Sequence, residues 1–195
     1  RYDWTINGLS FVTELSFVSA LETQRGDEVQ VTVTPFDSDG DGVALTATPV
    51  LVLNSPPTLT EMFLTPATPI TEDTLNCAWA GYADLDEDPD GTTLEWTVNG
   101  VPAGTGPTLA GVFTSGDEIQ CTVTAFDGTD VGTVLSKTVT VDNTHPRIVS
   151  VSITPDPAYA GDGLSCSWDG FWDPDGDDDW SSVAWTINGS AAGTS

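Results

Sequence analysis

Glu118-Ile119-Gln120-Cys121-Thr122-Val123 alternates polar and apolar residues, which is typical of a β-strand with one buried face. It lies inside the longer segment 116–127, Gly-Asp-Glu-Ile-Gln-Cys-Thr-Val-Thr-Ala-Phe-Asp, which recurs at 26–37 as Gly-Asp-Glu-Val-Gln-Val-Thr-Val-Thr-Pro-Phe-Asp. Trp-Thr-(Ile/Val)-Asn-Gly begins at Trp4, Trp96 and Trp185. The chain therefore contains an internal repeat with a period of about 90 residues.

The rest of the sequence also favours strands. Thr and Val are frequent, and Gly and Pro interrupt the chain at short intervals. No stretch of about twelve residues carries apolar side chains at helical spacing without a breaker. We therefore predict an all-β protein.

Two proline-bearing linkers divide the repeat. A strand-like segment ending at Asn54 runs into Ser55-Pro56-Pro57, and another ending at Asn143 runs into Thr144-His145-Pro146. A strand followed by such a linker is typical of a domain boundary. The predicted modules are 1–54, 56–143 and 145–195, of which the middle one is complete. The first holds strand C onward and the third holds strands A to C.

The middle module can be divided into strands by its alternation and its turn residues. A Gly/Pro-rich stretch at 100–108 is predicted to precede one or two short strands. The longer predicted strands, in order, are A at 61–65, B at 74–82, C at 93–99, F at 118–126 and G at 136–141.

Cys77 on strand B, Trp96 on strand C and Cys121 on strand F follow the order found in immunoglobulin-like sandwiches. Together with the repeated motifs, this pattern resembles the tandem immunoglobulin-like repeats of large bacterial and archaeal surface proteins, which are related to cadherin-like and polycystic-kidney-disease-type domains. Trp-Thr-Val-Asn-Gly replaces the latter family's Trp-Asp-Phe-Gly-Asp-Gly-type motif, and the internal acidic motifs of cadherins are missing. The resemblance implies tandem immunoglobulin-like β-sandwich modules, here one complete and two partial, in an extracellular rod with an adhesive or scaffolding role.

The same resemblance implies a disulfide between Cys77 and Cys121. The alternative is a pair of buried free thiols in a reducing compartment. Cys166 occupies the strand-B position of the third module, and Val31 occupies the strand-F position of the first. The bridge is therefore expected to vary from repeat to repeat.

The charge balance excludes two classes of partner. The chain has 30 Asp and Glu against 4 Lys and Arg, a formal net charge of −26. Nucleic acids and anionic membrane surfaces both require clustered basic residues. No apolar run reaches the roughly 20 residues that cross a bilayer, so we expect no membrane insertion.

Acidic residues concentrate in the loops that follow strands B and F and in the linkers. In an immunoglobulin-like sandwich these loops meet at one end, where carboxylates repel one another unless a cation lies between them. Calcium prefers such hard oxygen ligands, and extracellular modules bind it. Solvated turns are the alternative, because Asp is favoured in turns; an EF-hand is excluded because Thr48 occupies the place of its last ligand. The predicted calcium ligands are Asp84, Asp86, Asp88, Asp90, Asp127, Asp130, Asp142, Asn143, Asp173, Asp175, Asp177, Asp179, Asp37, Asp39 and Asp41.

We expect no enzymatic activity, because the carboxylates form turn-like runs and His145, the one histidine, lies in a linker. The predicted function is a structural segment of an extracellular fibre, filament or adhesin, rigidified by calcium. The alternative is a carbohydrate- or ligand-binding module of a secreted adhesin or enzyme, with Trp172 and Trp180 stacking on sugars. These two residues could instead pack against the adjacent domain.

The two partial modules are each expected to expose an apolar face, carried by residues such as Val31 and Cys166. One explanation is a window cut from a longer array. The other is that the tail of one copy completes the head of the next and builds a filament. The presence of the Trp-Thr-Ile-Asn-Gly strand at both ends favours the window. The expected partners are other copies or neighbouring repeats, and surface glycans or proteins.

Overall fold

The computed structural model describes residues 1–11 and 15–194, and strands form nearly all of the regular structure in this part of the chain. The described residues contain a single turn of 3₁₀ helix, Ala20–Glu22, and no α-helix. The prediction of an all-β protein is confirmed. Among the same residues, no helix has the length and apolar character needed to cross a membrane.

Eighteen strands are present in the described residues. In chain order they are β1 Tyr2–Ile6, β2 Leu9–Phe11, β3 Glu28–Val33, β4 Phe36–Asp37, β5 Gly40–Asp41, β6 Leu45–Thr46, β7 Val50–Leu51, β8 Glu61–Thr65, β9 Thr74–Ala80, β10 Thr93–Val98, β11 Val101–Gly104, β12 Thr108–Ala110, β13 Glu118–Phe126, β14 Val131–Thr140, β15 Ser150–Thr154, β16 Ser165–Asp169, β17 Ala184–Ile187 and β18 Ser190–Thr194.

The sheets show the sequence repeat as a repeat of topology. The middle segment forms a four-stranded sheet of order β11-β10-β13-β14 and a three-stranded sheet of order β12-β9-β8. The first segment forms a sheet of order β2-β1-β3-β6, with β7 also pairing with β3, which reproduces the order of the four-stranded sheet. In the third segment, the antiparallel pair β15–β16 corresponds to β8–β9, and the hairpin β17–β18 corresponds to β10–β11.

The predicted strand bounds hold at 61–65 and 118–126, but β14 begins five residues before the predicted strand G. The stretch 100–108 was predicted to precede one or two short strands, but the first of them, β11, lies inside it and begins directly after Gly100. Asn99 and Gly100 have φ angles of 50° and 77°. Two successive residues at positive φ make the tight turn that Asn-Gly favours between antiparallel strands. The same turn recurs at Asn7-Gly8 and Asn188-Gly189.

The core of the middle segment follows the alternation of its strands. On β13, the side chains of Ile119, Cys121 and Val123 are fully buried. Cys77 and Cys121 form a disulfide with a Cα–Cα distance of 6.6 Å, which joins β9 of one sheet to β13 of the other. Trp96 is also buried, and its indole N–H donates to the carbonyl oxygen of Gly106 at 2.8 Å.

The described contacts divide the chain into two compact units. The first unit comprises 1–62, 79–93 and 123–135, and the second comprises 63–78, 94–122 and 136–195. Linker 55–57 therefore lies within the first unit and linker 144–146 lies within the second.

Candidate functional site

In the first unit, the acidic loop after β9 is built around Asp84. Its Oδ1 accepts hydrogen bonds from the backbone N–H groups of Asp86 at 2.8 Å and Asp88 at 3.1 Å. An Asp side chain that bonds to the backbone two residues onward is a standard turn-forming device. The alternating aspartates of this loop are thus explained in part by local structure.

The same loop gathers three carboxylates. One carboxylate oxygen from each of Asp84, Asp86 and Asp88 lies within 4.8 Å of the others, and all three residues are half-buried. In the parts of the chain that the structure describes, this is the one such group. The second oxygen of Asp84, Oδ2, is buried without a hydrogen-bond partner. Since a buried anionic oxygen is costly when unpaired, this oxygen set could accept a hard cation such as calcium.

The loop also holds the linker that precedes the middle segment. The backbone N–H of Ser55 donates to Oδ2 of Asp86 at 2.6 Å. We call this contact, together with the acidic loop 84–88 and the linker 54–57, the first junction. Pro57 is fully buried, and its carbonyl oxygen accepts the N–H of Thr133 at 3.1 Å.

Asn54 connects the first junction to the loop after β13. Its side-chain N–H₂ donates to Oδ2 of Asp127 at 2.8 Å and to Oδ2 of Asp130 at 2.9 Å. Oδ1 of Asp127 accepts the backbone N–H groups of Thr129 and Asp130. Burial would raise the pKa of Asp127, but these hydrogen bonds outweigh it and hold the pKa below its ordinary value. Asp127 and Asp130 thus bind the linker and lie outside the three-carboxylate group.

Arg25 supplies positive charge at the first junction. Its guanidinium donates to both carboxylate oxygens of Asp88, with an Nη2–Oδ1 distance of 3.0 Å, and to Oδ1 of Asn54. The hydrogen bond to Asp88 raises the pKa of Arg25 above its ordinary value. The acidic loop is therefore partly neutralised by a side chain of the same chain.

In the second unit, the third segment repeats the arrangement. Oδ1 of Asp173 accepts the N–H groups of Asp175 at 2.8 Å and Asp177 at 3.4 Å, and its Oδ2 is again buried without a partner. Oδ2 of Asp175 accepts the backbone N–H of Thr144 at 2.6 Å. We call this contact, with the loop 173–177 and the linker 143–146, the second junction.

The second junction differs in its other donors. Oδ1 of Asp175 accepts the hydroxyl of Thr71 and the backbone N–H of Ser115, the latter at 3.3 Å. Ser115 stands immediately before Gly-Asp, as Arg25 does in the first repeat. Burial would raise the pKa of Asp175, but the bonds from Thr71, Thr144 and Ser115 outweigh it and lower the pKa. In the described residues, the close group of three carboxylates occurs at 84–88 and not at 173–177.

The last aspartate of each acidic run contacts an indole instead of a linker. Asp90 accepts the N–H of Thr92 and the indole N–H of Trp79, and Asp179 makes the same two contacts with Ser181 and Trp168. Hydrogen bonds from Ser181 lower the pKa of Asp179 below its ordinary value. These two carboxylates therefore hold the residues that precede β10 and β17.

The remaining predicted ligands have structural contacts of other kinds. Oδ1 of Asp37 accepts the N–H groups of Asp39 and Gly40 in the turn between β4 and β5, and Asp41 pairs with Arg1. The backbone N–H of Asp142 donates to the carbonyl oxygen of Pro69 at 2.7 Å. The side chain of Asn143 donates to the carbonyl oxygen of Thr144 at 3.2 Å.

The two predicted ligand-binding tryptophans differ. The guanidinium of Arg147 lies 4.0 Å from the ring centre of Trp172, and the two residues exchange backbone hydrogen bonds. One face of Trp172 is therefore occupied by a cation–π contact. Trp180 is 88% exposed.

Sequence reasoning missed the residues that hold the linkers. Ser55 and Thr144 act through backbone N–H groups, which carry no residue signature. Arg25 did carry a signal, because it is one of four basic residues in a chain with 30 acidic ones. A cation in such a sequence is expected to lie among carboxylates.

A comparison of the sequence with protein-family models finds no match, and a comparison with curated proteins finds none either.

Proposed function

We propose that the chain is a structural segment of an extracellular fibre, filament or adhesin, built from tandem immunoglobulin-like sandwich modules, one complete and two partial. The repeat of sheet order in the first and middle segments supports a tandem array of one module type. The Cys77–Cys121 disulfide supports an oxidising, extracellular compartment. The proposed role is mechanical and does not involve catalysis.

The observation that carries this proposal is the repetition of the linker contact. At both junctions the second aspartate of an acidic loop accepts a backbone N–H of the linker, at 2.6 Å each time. A chain whose modules were merely tethered would have no need to repeat this contact. Linkers held by charge-assisted hydrogen bonds suit a protein that must keep successive modules in a fixed relation.

Limited proteolysis tests this role. We expect both linkers of the purified 195-residue chain to resist cleavage, and Asp86→Ala to expose linker 54–57 selectively. Asp39→Ala is the matched control, because Asp39 lies in the β4–β5 turn. Equal cleavage of the linker in wild type, Asp86→Ala and Asp39→Ala would contradict the proposal.

We further propose that calcium binds the acidic loop of the first junction through Asp84, Asp86 and Asp88. The close approach of their oxygens and the unpartnered Oδ2 of Asp84 support it. A cation bound only by the folded chain stabilises it by mass action. We expect calcium to raise the melting temperature and to bind with a Kd of about 0.1–1 mM, the range of extracellular modules.

Calorimetric titration of calcium into wild type, Asp84→Asn and Asp39→Asn separates this site from general charge screening. Binding should be lost in Asp84→Asn and kept in Asp39→Asn. An unchanged melting temperature between millimolar calcium and excess chelator removes calcium from the proposal but leaves the linker contacts untouched.

The alternative function is a glycan-binding module, and the exposure of Trp180 is the observation that favours it. Retention on immobilised glycans that is lost in Trp180→Ala would support this alternative. Trp172→Ala is the comparison, because one face of Trp172 is already covered by Arg147.

A further inference from the structure

The acidic loop of the first junction already binds a cation of the same chain, the guanidinium of Arg25. This group donates to both carboxylate oxygens of Asp88 and to Oδ1 of Asn54. The hydrogen bond to Asp88 is the main reason that the pKa of Arg25 is raised, and the charges of Asp88, Asp86 and Asp127 raise it further. Arg25 is therefore attracted by carboxylates from both acidic loops of the middle segment.

Arg25 occupies oxygen atoms that a metal ion on this loop would need. One oxygen from each of Asp84, Asp86 and Asp88 lies within 4.8 Å of the others, so a cation bound by all three residues must coordinate Asp88. Both oxygens of Asp88 accept hydrogen bonds from Arg25. A metal ion and a guanidinium that shared this carboxylate would lie within a few ångströms of each other, where like charges repel strongly.

The repeat shows the acidic loop without this arginine. Ser115 holds the position of Arg25 at the second junction, where neutral donors bind Asp175. In the part of the chain that the structure describes, three carboxylates come close together at 84–88 and not at 173–177. The close group thus forms at the junction where a positive charge lies beside it, as expected if that charge offsets the repulsion between the carboxylates.

We propose that Arg25 and calcium are alternative cations for the loop 84–88, so that calcium binds this loop only by displacing Arg25 from Asp88. This inference rests on the calcium site put forward under the proposed function. Oδ2 of Asp84, which is buried without a hydrogen-bond partner, remains open to the metal. Asp88 is the ligand for which the two cations compete.

The exchange changes what ties the first segment to the rest of the junction. Arg25 lies in the first segment, before β3, and it is bonded to Asn54 of the linker and to Asp88 of the middle segment. The three proposed calcium ligands all belong to the middle segment. Calcium therefore neutralises the loop without joining the first segment to it, and Arg25 sets the calcium concentration at which the first junction changes.

Thermodynamic linkage sets the size of the effect. If Arg25 weakens calcium binding by a given factor, calcium weakens the pairing of Arg25 with Asp88 by the same factor. The side chains of Arg25 and Asp88 are 40% and 16% exposed, so the pair is only partly shielded from water. A pair of this kind contributes a factor of about five at most.

Calorimetric titration of calcium into the 195-residue chain tests the competition. In Arg25→Gln the Kd should fall by about fivefold. In Arg25→Lys it should fall by less, because lysine keeps the charge but loses the two parallel donors. Arg1→Gln is the matched control: it removes the same charge from the same segment, but Arg1 pairs with Asp41 in the β4–β5 turn. The Kd of Arg1→Gln should equal that of wild type.

Nitrogen-15 NMR of the arginine side chains gives a readout that does not depend on affinity. The Nε–H signal of Arg25, assigned by its loss in Arg25→Lys, should shift when wild type is saturated with calcium. The signal of Arg1 should stay in place. An Arg25 signal that does not move at saturation means that calcium binds without displacing the arginine, and this result overturns the proposal.

The possible results separate this inference from the proposed calcium site. An identical Kd in wild type, Arg25→Gln and Arg25→Lys overturns the competition and leaves the calcium site intact. Equal tightening in Arg1→Gln also overturns it, because net charge then explains the change. Binding that is absent in wild type but present in Arg25→Gln supports the competition.

Two further outcomes are also decisive. Absence of calcium binding in wild type and in both Arg25 variants refutes the calcium site and the competition together. Should Arg25→Gln fail to fold by circular dichroism, the comparison of wild type with Arg25→Lys and the NMR readout decide. None of these results alters the linker cleavage that tests the proposed structural role.

Discussion

The first and second junctions hold their linkers with equivalent acidic loops, but different groups stabilise the carboxylates of the two loops. At the first junction, Asp86 binds one linker N–H and the Arg25 guanidinium pairs with Asp88. At the second, neutral donors from Thr71, Ser115 and Thr144 converge on Asp175. A repeat can therefore conserve a contact while exchanging a salt bridge for hydrogen bonds. The two solutions differ in their response to salt and to mutation.

The largest expected effect comes from removing the aspartate that accepts the linker N–H at each junction. Asp175→Ala should lower the free energy of opening at the second junction by about 3 kcal/mol, because three donors lose a charged acceptor. Asp86→Ala should cost about 1.5 kcal/mol, because one donor loses it. Hydrogen exchange of peptides covering 53–58 and 142–147 measures both. Equal loss of protection in the two variants would remove the distinction between the junctions.

Arg25→Gln should open the first junction and leave the second unchanged. The Arg25–Asp88 pair is partly exposed, so we expect cleavage of linker 54–57 to rise by up to about fivefold. Raising the salt concentration should have the same effect on wild type, because salt screens the pair. Arg147→Gln is the control, since its pair with Glu72 is longer and more exposed. Salt that weakens both linkers alike would show that Arg25 is not the cause.

Ser115→Arg should transfer the salt sensitivity to the second junction. The substitution keeps the backbone N–H that binds Asp175 and places a guanidinium where the first repeat has one. Cleavage of linker 143–146 should then become dependent on salt, with a change smaller than that of Arg25→Gln. Unaltered salt dependence would mean that position 115 does not reach the acidic loop.

The smallest effect at neutral pH is expected from Asp117, whose carboxylate bonds to Asn99 and Thr114 and not to a linker. Hydrogen bonds from the N–H of Thr114 and the side chain of Asn99 lower the pKa of Asp117 below its ordinary value. A carboxyl group whose pKa is lower in the folded state stabilises the fold at pH values above its unfolded-state pKa of about 3.9. This stabilisation is lost as the pH falls through the pKa of the folded state. Asp117→Asn should therefore make the melting temperature depend less on pH below about pH 4. A difference from wild type that appears instead between pH 5 and 7 would contradict this assignment.

The sequence predicted the strands well because they follow from periodicity and repetition, whereas the cysteine pairing was predicted from the resemblance to immunoglobulin-like repeats. Alternation at Glu118–Val123 marked the buried face of β13, and the repeat marked its partners. The Asn-Gly hairpin was missed although its signal was present, since 100–108 was judged by its Gly and Pro content. A turn of two residues at positive φ was the better interpretation.

The junction contacts could be predicted only in part. The alternating aspartates were recognised, but the grouping of Asp84, Asp86 and Asp88 apart from Asp127 depends on the path of Asn54. The pairing of Arg25 with Asp88 spans 63 residues of sequence. Neither feature has a local sequence pattern, because the contacts of Asn54 and of Arg25 both join residues that are far apart in the sequence.

The Asn-Gly turns are also the sites at which the chain is expected to deamidate. Deamidation begins when the nitrogen of the following residue attacks the Asn side-chain carbonyl, and glycine hinders that attack least. The amides of Asn7 and Asn99 are held by Asp27 and Asp117 and by the backbone of the next strand. In the described part of the chain, the Asn188 side chain has no such hydrogen bonds. Of the three Asn-Gly turns, damage should therefore appear first at Asn188.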